Sequence, residues 1–158
     1  MAVGGGVGGD GEEGCCVFGY VIPHSYAMLY ATALLIQTDY GANTSTIPYI
    51  LDEFAYFFET PFGETDPTFP NCSIDRPPGA SPDGRMYIVN HVLNVDILGI
   101  KVPDRVHAAR TNAARGNGSI GAQADLCRRE YGRVPNVVLV DFVEMGEVME
   151  AQEALNRG

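Results

Sequence analysis

The sequence predicts an α/β fold built on parallel strands, and two observations carry that reading. The first is the run Asn136-Val137-Val138-Leu139-Val140-Asp141-Phe142, in which four consecutive branched aliphatics read as a strand buried on both faces. The second is that earlier segments repeat its plan: residues 33–38 run into Asp39, and residues 86–89 run into Asn90-His91. The polar ends Asp39, Asn90 and Asp141 are evenly spaced along the chain. In parallel α/β folds, chemistry sits where strands end and the loops to the next helices begin. Asp39, Asn90, His91 and Asp141 are therefore candidate rim residues of three βα units whose polar ends converge.

A chain of 158 residues that is 46% hydrophobic suits one domain with a core. It is short for a whole βα barrel, which takes about 250 residues and eight units. The alternatives are a small open α/β domain or part of a barrel. A formal net charge of −10 gives no electrostatic footprint for nucleic acid or anionic membranes. Arg128, Arg129 and Arg133 read as a solvated helix end. The four cysteines form no CxxC pair and no zinc cluster. Cys72 and Cys127 are disulfide candidates in an oxidising compartment and unpaired thiols in a reducing one.

Taken in order, residues 1–14 are Gly-rich and acidic, a composition that predicts disorder, and they lack the basic start and apolar core of a signal peptide. The next stretch, to Thr38, carries no formal charge, but Pro23, His24, Ser25, Thr32 and Gln37 make it a poor membrane span. It reads as an irregular segment or short helix before the first strand. His24 and Ser25 are adjacent, and neighbours on a chain rarely face each other for proton transfer.

After a turn at Asp39–Asn43, Ile47, Ile50, Leu51, Phe54, Phe57 and Phe58 recur at helical spacing, which predicts a helix over 45–60 that ends at Thr60-Pro61. Residues 61–84 hold six prolines and three glycines, a composition that fits both a lid over the rim and a tethered surface loop. Residues 94–103 look irregular or briefly extended. Helical patterns follow over 104–114 and 120–131, separated by Gly116-Asn117-Gly118-Ser119. That turn is best read as a plain helix cap. A last helix starts near Gly146, with Val148, Met149 and Leu155 on its inner side. Asn43, Asn71 and Asn117 head N-x-S/T triplets in expected loops.

Four passages are long and unusual: DYGANTSTIPYILDEFAYFFETPF, FPNCSIDRPPGASPDGRMYIVNH, TNAARGNGSIGAQADLC and YGRVPNVVLVDFVE. With them the chain resembles the C-terminal part of secreted fungal phospholipase-C-like phosphodiesterases, in the superfamily of phosphatidylinositol-specific phospholipase C. The resemblance covers residues 38–158. Residues 1–37, Gly-rich and then apolar, do not match what that family places there.

The resemblance implies a partial TIM barrel, about its last three βα units, following a disordered or irregular N-terminal segment. It implies an extracellular or cell-surface setting and a substrate that is an inositol lipid or another phosphodiester. Asp141 would be the supporting carboxylate of the last strand, with Asp39, Asn90 and His91 as rim or substrate-facing residues. Cys72 and Cys127 fall in matching passages, and a tether for the long loop would bring their Cα atoms within about 7 Å.

The family's chemistry uses a neighbouring sugar hydroxyl as nucleophile, one histidine to remove its proton and another to protonate the leaving alkoxide. An aspartate only orients and charge-balances such a histidine. The strand ends that carry those histidines have no counterpart before Asp39. No cofactor is identified, and the chemistry leaves room for a divalent cation to stabilise the phosphate charge. The expectation is a phosphoric diester hydrolase portion that is silent alone, or a non-catalytic remnant of the same fold. Open strand edges would favour self-association.

Overall fold

The computed structural model describes residues 16–20, 45–49 and 52–157. In chain order these residues form β1 (Cys16–Tyr20), α1 (Glu53–Tyr56), β2 (Phe57–Glu59), β3 (Met86–His91), β4 (Asn94–Ile97), β5 (Ile100–Pro103), α2 (Ala108–Thr111), α3 (Ile120–Tyr131), β6 (Val137–Asp141) and α4 (Val148–Arg157). Two sheets result: a four-stranded one in the order β1-β6-β3-β2 and a two-stranded ribbon of β4 and β5. Every neighbour pair of the larger sheet is parallel, and the ribbon is antiparallel. The described strands do not close into a barrel.

β3 and β6 lie side by side in parallel, with Asn90 opposite Leu139 and His91 opposite Val140. Asn136 fixes this register from the strand's entry: its Oδ1 accepts from the Tyr87 N–H at 2.9 Å, and its own N–H donates to the Tyr87 carbonyl at 3.2 Å. The strand expected over 33–39, and Asp39 with it, lies outside the described residues. β1 comes instead from residues expected to be irregular, and its backbone pairs with β6 from Cys16–Val137 to Tyr20–Asp141.

The helix expected over 45–60 is corrected. Only Glu53–Tyr56 are helical, started by the Asp52 carboxylate accepting from the Phe54 N–H at 3.1 Å. The backbone turns extended at Phe57, and Phe57–Glu59 pair with β3. Tertiary packing overrides the helical spacing here. Phe58 is fully buried, stacks on Tyr87 at 5.2 Å between ring centroids, and meets the edge of Tyr131 at 4.9 Å. A strand delivers that ring to the sheet's neighbour layer, where aromatic pairing adds to area burial. Beyond β2, residues 75 and 76 cover part of the sheet edge: the Glu59 N–H donates to the Arg76 carbonyl, and the Asp75 N–H to the Glu59 carbonyl. The helix expected over 104–114 shrinks to the single turn of α2.

Period-two alternation sorts the strands into two faces. Phe58, Tyr87, Val89, Val138 and Val140 point one way and form the core with Ile120 and Cys127 of α3 and Val148 and Ala151 of α4. α3 begins at Ser119, whose hydroxyl accepts from the Ala122 N–H at 3.1 Å. Gly118 before it, at φ +73°, has no room for a side chain: an added Cβ would sit 1.9 Å from the Pro67 carbonyl oxygen. Cys72 and Cys127 are disulfide-bonded within the core, with Cα atoms 5.4 Å apart. The bond and the Tyr131 hydroxyl, which donates to the Cys72 carbonyl, pin the Pro-rich loop to α3. Among the described residues no helix is long and apolar enough to cross a membrane.

Candidate site at the strand ends

The second face carries Glu59, Ile88, Asn90, Val137, Leu139 and Asp141 by the same alternation, since Glu59 pairs with Ile88 and Asn90 with Leu139. Three polar residues thus lie at or next to the ends of three neighbouring strands on one side: Glu59, the last of β2, Asn90, one before the last of β3, and Asp141, the last of β6.

Glu59 and Asn90 form a locked pair. Asn90 is buried; its amide donates to Glu59 Oε2 at 3.2 Å and to the Thr60 carbonyl at 2.6 Å, while its N–H donates to the Thr60 hydroxyl at 2.9 Å. Glu59, buried as well, pairs through Oε1 with the Arg76 guanidinium. That guanidinium lies over the rings of Phe62, at 5.0 Å, and Phe54, at 5.6 Å. A buried carboxylate persists only with such a partner and further hydrogen bonds.

Asp141 contrasts with this. Its Oδ2 is buried and has no hydrogen-bond partner among the described residues. Burial pushes its carboxyl up to about 6. An aspartate held this way gains from any donor brought to it, and carboxyls of shifted pKa concentrate at functional sites. Its backbone is held firmly. The buried Asn112 side chain donates to the carbonyls of Asp141, at 2.8 Å, and Phe142, at 3.2 Å. Phe142 adopts φ +53°, a left-handed conformation that costs a bulky residue energy.

His91 ends β3 but does not look onto this face. Its ring points between the helices and is 1% exposed. Nδ1 meets the Gln123 side-chain amide, Nε2 lies 2.8 Å from the Thr111 carbonyl, and Phe69 stacks on the ring at 4.0 Å. Burial pushes its imidazole below the usual histidine range, against the opposing effect of those two hydrogen bonds. The ring expected to face substrate lies on the helix side instead, because alternation turns His91 there when Asn90 takes the other face. His107 is exposed and tied to Asp104, Nδ1 to Oδ2 at 2.6 Å. His24 and Asp39 lie outside the described residues.

No group of three or more His, Cys, Asp or Glu among the described residues could hold a metal ion. Sequence reasoning missed Glu59 and Asn112. Glu59 carried a usable signal, since Phe57-Phe58-Glu59 is another apolar run ending in a carboxylate. Asn112 carried none.

A parallel α/β sheet with polar strand ends on one face defines the class of protein. Residues 26–156 match the PI-PLC X family, and the chain belongs to it. It is 57% identical over 123 residues to PI-PLC X domain-containing protein 1 of Arthroderma benhamiae, a match covering 78% of this chain and 40% of that protein. It is 45% identical over 131 residues to an uncharacterized secreted protein of the same organism, covering 78% of this chain and 29% of that one. The chain thus spans less than half the length of these curated relatives. No solved structure matches it significantly.

Proposed function

We propose that this chain is the C-terminal, rim-bearing portion of a PI-PLC-like phosphoric diester hydrolase, a partial βα barrel whose whole domain acts on inositol lipids or related phosphodiesters outside the cell. Asp141 is the supporting carboxylate in this reading, and Asn90 and Glu59 shape the neighbouring rim. The observation that carries it is the buried, unpartnered Asp141 Oδ2 at the end of β6, in a chain of this family. The extracellular setting is supported by the relative named as secreted and by the Cys72–Cys127 disulfide.

These 158 residues do not themselves perform the reaction. Transfer to a sugar hydroxyl needs a base and an acid in reach of the phosphate. Of the chain's three histidines, His91 is locked in the core, His107 is tied to Asp104, and His24 has no match to the family's strand-end motifs. A divalent cation at the rim would supply charge to the phosphate. The rim residues described here offer it Asp141 and no cluster.

The test is complementation. The chain is assayed for head-group release from phosphatidylinositol, alone and mixed with the N-terminal half of the Arthroderma relative's domain. Silence alone and release with the added half, lost on Asp141→Asn, is the expected result. Silence in both, with a stable complex formed, would favour the second reading, a non-catalytic scaffold of this fold, which the fully engaged His91 ring supports.

A further inference from the structure

We propose that Asn71 and Asn117 carry N-linked glycans, one on the Pro-rich loop and one at the start of α3, where that loop packs. The proposal is independent of the hydrolase reading and rests only on the extracellular setting that accompanies it.

The chain has eight asparagines, of which Asn43, Asn71 and Asn117 head N-x-S/T triplets. Asn43 lies outside the described residues. What the side-chain amides do separates the other two from asparagines outside such triplets. Asn90 donates its NH2 to Glu59 and to the Thr60 carbonyl, and Asn112 donates to the carbonyls of Asp141 and Phe142. The Asn94 NH2 lies within 3.3 Å of the carbonyls of Phe62, Glu64 and Val92. A sugar on any of these three would break bonds that hold the strand ends. Asn71 and Asn117 are exposed, and neither side-chain NH2 donates to a described residue. An N-glycan is bulky and hydrophilic, so it needs such a surface position.

The local geometry accommodates the modification at both places. Asn71 Oδ1 accepts from the Ser73 N–H at 3.0 Å, a turn closed by the amide oxygen alone. The sugar attaches at Nδ2, so this turn survives it. At Asn117, a Cβ added to the following Gly118 would sit 1.9 Å from the Pro67 carbonyl oxygen, while one added to the preceding Gly116 would meet nothing within 4 Å. The turn is thus seated on the loop on one side and open on the other. The middle residues of the triplets are Cys72 and Gly118, and neither is the proline that blocks transfer. The Cys72–Cys127 disulfide fits an oxidising secretory route, where such sugars are added. In the transfer, asparagine Nδ2 attacks the anomeric carbon of a polyprenyl-diphosphate-linked oligosaccharide. The nitrogen–carbon bond forms, and the bond from that carbon to the diphosphate oxygen breaks. Nδ2 gives up one proton to a base of the transferase, and the polyprenyl diphosphate leaves with the electron pair. The Ser119 hydroxyl is 0% exposed and caps α3, so the Asn117 sugar goes on before this turn closes.

The experiment secretes the chain from a fungal host behind a cleavable leader, beside the variants Asn71→Gln, Ser73→Ala and Asn117→Gln. Ser73→Ala keeps Asn71 and its turn and removes only the triplet, so it separates a lost sugar from a lost fold. An amidase that turns each glycosylated asparagine into aspartate is applied, and peptides are read by mass spectrometry. The expected result is aspartate at positions 71 and 117 only after treatment. Each variant should lose one step of the gel-mobility shift, with Asn71→Gln and Ser73→Ala agreeing. An unmodified Asn71 or Asn117 in the secreted chain overturns the proposal, and so does sugar at Asn43 alone. Offered a purified transferase and the same donor, the chain should accept sugar at Asn117 when reduced and unfolded and refuse it when folded. Transfer to the folded chain at Asn117 overturns the stated order. The Cys72–Cys127 bond is mapped in the same secreted sample. A bonded chain without these sugars counts against this proposal and leaves the extracellular reading standing. A glycosylated chain without the bond supports the proposal and counts against the disulfide as an argument for that setting.

Discussion

The side-chain amide of Asn112 lies 2.8 Å from the Asp141 carbonyl oxygen and 3.2 Å from that of Phe142, bridging the loop after α2 to the end of β6. Asn112 is itself gripped, since its carbonyl accepts from the Glu147 N–H at 2.8 Å, and an added Cβ on Gly146 would sit 2.8 Å from that same oxygen. One buried amide thus fixes where the last strand stops and how the chain turns into α4. Replacing Asn112 by Ala leaves two strand-end carbonyls without their donor in a buried place. The expected cost is about 1–3 kcal/mol, read as a lower denaturant midpoint at unchanged m-value. Asn112→Asp, which keeps the shape but supplies no donor, should cost at least as much.

The Asp141 carboxyl has a sign that can be tested. Its folded pKa, about 6, lies above the ordinary aspartate value of 3.8. Between those two values the native state binds more protons than the unfolded state, so stability falls as pH rises through the window and levels off above about 6. Asp141→Asn removes the buried charge. It should stabilise the chain at pH 7 by on the order of 1 kcal/mol, after discounting the shift for solvent screening of a half-buried group. Near pH 4 the advantage should vanish. Thermal melts at the two pH values check this, and a variant less stable than wild type at pH 7 would contradict a desolvated carboxylate.

The Cys72–Cys127 disulfide closes a loop with a sequence separation of 55 and sits in the core beside Phe58 and Tyr131. Constraining so long a loop in the unfolded chain is worth about 2–4 kcal/mol. Reduction, or the paired change of both cysteines to Ala, should lower stability by that order. Limited proteolysis should then cut first in the loop over 61–85, which the bond pins to α3. Equal protease resistance with and without reductant would rule out this tethering role.

The strands β3 and β6 were legible because each is an apolar run closed by a polar residue, a pattern that marks a strand and its polar end without tertiary information. β2 was hidden because Phe54, Phe57 and Phe58 satisfy helical spacing, and only the packing of Phe58 on Tyr87 and Tyr131 decides for a strand. Alternation says that Asn90 and His91 face opposite ways, but which way meets the helices depends on Thr111 and Gln123, distant in sequence. The grip of Asn112 on Asp141 is likewise a long-range contact between residues with no local pattern. The pairing of β4 with β5 was not read because alternation over Asn94–Pro103 does not reveal which strand its residues pair with.

Glu59 and Arg76 offer the sharpest energetic test. The pair joins the end of β2 to the segment that covers its edge, and Glu59 also receives the Asn90 amide at 3.2 Å. The Glu59 side chain is 5% exposed and that of Arg76 24%, so the carboxylate has little water to fall back on. Arg76→Met should cost about 3–5 kcal/mol, because it strands a buried charge. The double variant Glu59→Met, Arg76→Met removes both charges and keeps apolar volume. It should recover much of that loss, since paired apolar replacements of buried ion pairs are often neutral or better. A double-mutant cycle by chemical denaturation measures the difference as a coupling energy. Additive single costs, with no recovery in the double variant, would show that the two side chains act independently and that the edge of β2 is held by its backbone bonds to Asp75 and Arg76 alone.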